Sequence, residues 1–76
     1  MSRAVIERTD PPQRRDGDCL YELWLLDGQG RKLTRRGSVP VTFRGGNPDA
    51  TGAQVAKSEL HAIALAEELD VVRETR

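Results

Sequence analysis

Cys19-Leu20-Tyr21-Glu22-Leu23-Trp24-Leu25-Leu26, followed by Asp27-Gly28-Gln29-Gly30, Arg31-Lys32-Leu33-Thr34-Arg35-Arg36 and Val39-Pro40-Val41-Thr42-Phe43-Arg44, decides how this chain folds. The first run is short, apolar and aromatic, and it stops at an Asp-Gly pair of the kind that closes β-hairpins. The last run alternates. Val39, Val41 and Phe43 share one face, and Ser38, Pro40, Thr42 and Arg44 the other. The pattern predicts a two- or three-stranded antiparallel meander that needs a layer laid across it.

The Cys19–Leu26 strand is apolar on both faces. Leu20, Trp24 and Leu26 lie on one side with Glu22, while Cys19, Tyr21, Leu23 and Leu25 lie on the other. A strand facing water on one side should alternate, so this one is either central and covered twice or keeps one face for a partner. A two-residue turn at Gly28-Gln29 would set Leu26 opposite Arg31, Trp24 opposite Leu33 and Glu22 opposite Arg35, pairs worth ~0.2–1 kcal/mol each. The return strand carries four cations in six positions. Gly37-Ser38 marks a bend or bulge. Pro40, without an amide hydrogen, fits an edge strand.

Upstream, Ser2–Thr9 reads as a first strand, with Ala4 and Ile6 on one side and Arg3, Val5 and Glu7 on the other. Asp10–Asp18, with two prolines and Gly17 between aspartates, reads as a loop bearing Arg14 and Arg15. Downstream, two helix starts compete. Asn47-Pro48 offers a cap with proline at the first helical position, and Thr51-Gly52-Ala53-Gln54 fits the capping box and is favoured. The alanine-rich helix places Val55, Ala62, Ala66 and Leu69 on its main stripe, with Ile63 and Leu65 beside it. Gln54, Lys57, His61 and Glu68 mark the wet side, and Leu60 falls on a second flank. Asp70 ends the helix, and Val71-Val72-Arg73 adds a short last strand.

The expected architecture is a small two-layer α+β domain, an antiparallel β-meander of three to four strands packed against one C-terminal α-helix. Residues 1–76 make one domain: strand and Pro-rich loop over 1–18, meander over 19–44, helix over 47–70, strand or tail over 71–76. A core this small supplies ~3–5 kcal/mol of net stability, so a partner or a second copy would help. One cysteine allows no internal disulfide, and no signal peptide or membrane-spanning run is visible, so a soluble cytoplasmic monomer or homodimer is expected.

Twelve Lys/Arg balance twelve Asp/Glu, which removes the simple charge argument for a nucleic-acid binder. The balance hides an asymmetry: residues 1–44 carry a net of +3 and residues 45–76 a net of −3. Catalytic inventory is thin. Cys19 reads as a small apolar strand residue and His61 as a wet-face residue rather than as a nucleophile–base pair. No metal-ligand spacing is present, and neither Gly28-Gln29-Gly30 nor Gly45-Gly46 has the spacing of a phosphate-cradling loop. No enzyme, metal or cofactor is expected. The informative polar feature is the basic strand: Arg31, Lys32, Arg35, Arg36 and Arg44, with Trp24 alongside, are the expected partner-binding residues. They suit an acidic protein surface or phosphates. The competing reading is a solvated strand whose charges deter edge-to-edge pairing.

From Cys19 to Leu69, three strands followed by an alanine-rich helix resemble in outline the double-stranded-RNA-binding domains and the arm-binding domains of tyrosine recombinases. Thr51–Lys57 lacks the lysine cluster that the RNA-binding family carries at its second helix, and a proline-rich loop stands where that family has its first. In size and lack of catalytic groups the chain also resembles phage-encoded inhibitors such as anti-CRISPR proteins, which occlude a surface. These features imply a non-enzymatic small binding protein acting on a larger protein or ribonucleoprotein complex. The alternatives are a β-ribbon nucleic-acid module and a small structural or regulatory subunit that dimerises through Leu60.

Overall fold

The computed structural model describes residues 1–11 and 17–75. The expected loop over Asp10–Asp18, with Arg14 and Arg15, falls largely on residues outside that description. The elements are β1 (Ser2–Thr9), β2 (Gly17–Leu26), β3 (Lys32–Arg44), β4 (Asn47–Pro48), α1 (Ala50–Ala66) and β5 (Leu69–Glu74). One sheet holds all five strands in the order β4-β3-β2-β1-β5.

The domain is α+β, as its patterns predict, but the sheet is mixed and curled and has five strands, not an antiparallel meander of three to four. Neighbours β1–β2, β2–β3 and β3–β4 are antiparallel, whereas β5 runs parallel to β1. A parallel return needs a crossover, and α1 supplies it.

β3 unites the basic return and the Val39–Arg44 run in one strand of 13 residues. Its register on β2 shifts between Leu23 and Trp24 and again between Leu25 and Leu26. Trp24 therefore faces Arg35, Leu26 faces Lys32 and Glu22 faces Ser38, so the expected register of Trp24 with Leu33, Leu26 with Arg31 and Glu22 with Arg35 does not form, although Glu22 and Arg35 still meet as an ion pair across the shifted register. The turn supplies the first residue of that shift and each bulge one more. The Asp27 carboxylate accepts from Gln29 N (2.8 Å) and Arg31 N (2.9 Å), and Asp27 N donates to Arg31 O, which closes a loop longer than two residues. Along Lys32–Val41, β3 is an edge, as Pro40 requires.

Asp49 caps α1, its carboxylate accepting from Gly52 N at 2.7 Å, two residues before the expected Thr51. The helix ends at Ala66 rather than near Asp70, because Glu68 adopts φ 58 and turns the chain into β5. Its buried face is Ala53, Ala56, Leu60 and Ala64; Val55, Ala62, Leu65 and Ala66 are exposed. The expected stripe is thus the outer one, and Leu60 is fully buried. Small residues decide the orientation. Three alanines let the helix axis come close to the sheet, and Leu60 and Ile63 descend over Gly37. Ala4 and Ile6 of β1, Cys19, Tyr21 and Leu23 of β2, and Val41 and Phe43 of β3 complete this core. Burial of Leu60 removes it as a dimer contact.

Candidate functional site

With α1 on one face, no other helix among the described residues covers the opposite face of the sheet, where the curl of the strands still buries Val5, Glu22 and Leu26. Alternation along β2 puts Leu20, Glu22, Trp24 and Leu26 there. Val5 stands opposite Trp24 across β1, and Arg35 opposite it across β3. Trp24 is half-buried, with Lys32 Nζ 5.4 Å from its ring centroid, within cation–π range.

Two carboxylates organise the charges of this face. Glu7 and Glu22 are register partners on β1 and β2. Like charges in that arrangement repel, and each is neutralised from its flank. Glu22 accepts from Arg35 Nη1 at 2.8 Å and from Thr9 Oγ1 at 2.9 Å. Glu7 pairs with Lys32 and, at 3.4 Å, with Arg73. Burial pushes the Glu22 carboxyl up, but Arg35 and Thr9 outweigh that and hold it below the ordinary glutamate range. It therefore stays ionised.

The expected partner-binding residues separate. Trp24, Lys32 and Arg35 come together on the open face. Arg31 sits at the hairpin tip, 3.6 Å from Asp27 and largely exposed. Arg36 occupies a bulge and reaches the end of the helix, 2.6 Å from Glu67. Arg44 stands at the far end of β3, beside a shallow groove of about 460 Å³ lined by Thr42, Asn47, Pro48, Asp49 and Ala50, without an ion pair among the described residues. All four cations of the return strand are thus paired within the chain, though each keeps a side chain at least two-fifths exposed. Sequence reasoning passed over Glu7, Glu22 and Arg73 as members of the site. Period-two alternation places Glu22 on the Trp24 side, but Glu7 joins it only through the β1–β2 register and Arg73 through the parallel β1–β5 contact, neither of which strand patterning reveals.

Cys19 and His61 do not form a site. The Cys19 thiol is buried, donates to Val41 O at 3.5 Å, and is pushed above its usual pKa by burial and by Asp10. His61 Nε2 instead meets Glu74 Oε1 at 2.5 Å, tying α1 to β5. Among the described residues no group of three or more His, Cys, Asp or Glu is placed to hold a metal ion, and no helix is long and apolar enough to cross a membrane. No protein-family model, curated protein or solved structure matches this chain. Its function is therefore argued from its own surface.

Proposed function

We propose that the protein is a non-enzymatic binding module that occludes a surface of a larger protein or ribonucleoprotein complex, after the manner of phage-encoded inhibitors of the anti-CRISPR type. One observation supports this reading: on the sheet face away from α1, half-buried Trp24 has Lys32 over its ring and Arg35 as its register partner, each cation paired with a carboxylate yet half-exposed. Fixing long side chains before contact lowers the ordering cost of association. Trp and Arg are also the residues that most often anchor interfaces. Neutralisation by Glu7 and Glu22 leaves little net charge on this face to follow a phosphate backbone, which favours protein over nucleic acid as the principal contact.

The test is affinity capture from the native host with the intact chain, with Trp24→Ala and Lys32→Gln as comparisons. The partner should be lost with either variant while the circular-dichroism spectrum is unchanged. Capture that survives both substitutions removes the Trp24 face from the function. Retention of duplex or single-stranded nucleic acid, weakening steeply with salt, would replace the protein partner with the nucleic-acid alternative.

A further inference from the structure

On the opposite side of the molecule from Trp24, the helix carries a second surface that the reading above does not use. At ~100° per residue, positions 51, 55, 58, 62 and 65 fall within about 40° of the pole opposite the buried Leu60. Three of those five, Val55, Ala62 and Leu65, are apolar, Thr51 and Ser58 are polar, and Ala66 adjoins the C-terminal end of the line. Val55 is 53 % exposed and Leu65 81 % exposed. A lone exposed leucine is ordinary; an apolar line along the pole that water should claim is not the pattern of a solvated helix. Glu59 borders this line about 80° from the pole, and Glu68 follows the helix end with its N donating to Leu65 O; both are exposed and neither has an ion-pair partner among the described residues.

Glu68 is anomalous in two further respects. It occupies the left-handed region at φ 58, a position that usually takes glycine or asparagine. Its carboxylate also stands at the negative end of the helix dipole, where a cation is favoured, and the last turn of α1 contains no basic residue. Neighbouring Glu67 is satisfied by Arg36. Glu68 is not, and unfavourable local choices of this kind concentrate where function holds them.

We propose that the outer face of α1, Val55–Ala62–Leu65–Ala66 bordered by Glu59 and Glu68, docks a basic amphipathic helix of a partner protein. Leucine-type side chains of that helix pack against Val55 and Leu65, while Ala62 and Ala66 permit close approach. Its lysines or arginines meet Glu59, Glu68 and the carbonyl end of α1. This is helix-on-helix recognition with charge complementarity at the borders.

The experiment titrates the intact protein with a synthetic peptide of roughly 18 residues, long enough for a helix on docking, made of leucine, alanine and lysine. The leucines form one face and the lysines both borders; a scrambled peptide of the same composition is the control. The patterned peptide should bind in the micromolar range and gain helicity, and the scrambled one should bind at least tenfold more weakly. Leu65→Glu should cost tenfold or more, and Glu59→Gln with Glu68→Gln should cost severalfold and flatten the salt dependence. Glu68→Gly separates docking from folding: it should raise Tm by roughly 4–8 °C, because glycine accepts the left-handed backbone, while weakening the peptide. Equal binding of the two peptides, or no effect of Leu65→Glu, overturns the proposal. So does concentration-dependent self-association abolished by Leu65→Glu, which would make a second copy the occupant. Because Trp24→Ala leaves this face intact, loss of the sheet-face function and loss of helix docking are read independently.

Discussion

Gly37 of β3 lies directly beneath Leu60 of α1: a Cβ built on Gly37 would stand 3.0 Å from Leu60 Cδ2 and 3.0 Å from Ile63 Cδ1. That contact sets how closely the helix approaches the sheet. Gly37→Ala forces two core side chains off their positions in a close-packed layer, at a cost of about 1–3 kcal/mol. Thermal unfolding should show Tm lower by several degrees, with near-UV dichroism of Tyr21 altered. An unchanged Tm would mean that the helix can ride outward freely.

The helix cap gives a direct contrast. Asp49 accepts from Gly52 N, and Ala53 N donates to Asp49 O, so Asp49 closes the first turn with both side chain and backbone. Asp49→Ala should cost about 1 kcal/mol, and Thr51→Ala, inside the helix, only a few tenths in either direction. Urea midpoints of the two variants decide the assignment.

Acid stability should depend on Glu22. Burial opposes its ionisation, but bonds from Arg35 and Thr9 depress its folded pKa below the ordinary value. A group depressed in the folded state stabilises above its unfolded pKa, and that contribution disappears as pH falls through the folded value. Stability is therefore expected to decline on acidification below about pH 4. Glu22→Gln should lower stability at neutral pH by about 1–3 kcal/mol and flatten this acid limb. Chemical denaturation at pH 7 and at pH 3 measures both effects.

Cys19 should be inert in the folded protein. Its thiol is fully enclosed between sheet and helix, and burial raises its pKa, so little thiolate exists and none is accessible. Reaction with an aromatic disulfide reagent should proceed no faster than global opening and should accelerate sharply in denaturant. Fast stoichiometric labelling of the native state would contradict the core described above.

Much of the sheet was legible because its physics is local. Alternation along Val39–Arg44 reports its inner side, with Val41 and Phe43 in the core, and Cys19, Tyr21 and Leu23 share that core, but Ser2–Thr9 buries Val5 as fully as Ala4 and Ile6 and does not alternate. What escaped was set by contacts far apart in the chain. The hairpin register depends on the Asp27 carboxylate taking two amides, which lengthens the turn, and on two bulges in β3 that each add one residue more. The orientation of α1 was misread because its apolar residues cover more than one face, and periodicity ranks Val55 and Leu65 no lower than Ala56 and Ala64. The space above Gly37, which receives Leu60 and Ile63, is a contact distant in the chain that helical periodicity does not show. The charged strand was visible as a run of cations, but the carboxylates that neutralise it sit on β1, β2 and the helix end. Of the expected contact residues, Trp24, Lys32 and Arg35 share a surface, while Arg31, Arg36 and Arg44 point to three other places.

The parallel contact between β1 and β5 also bears on how the molecule answers mechanical load. Ser2 begins one of these strands and Glu74 ends the other, and the two lie side by side, with Thr75 N donating to Ile6 O and Arg73 reaching Glu7. Tension applied through Ser2 and Glu74 would drag the strands past each other lengthwise and strain the whole ladder together, instead of peeling it one rung at a time. A chain of this size thereby carries a shear clamp between its first and last strands.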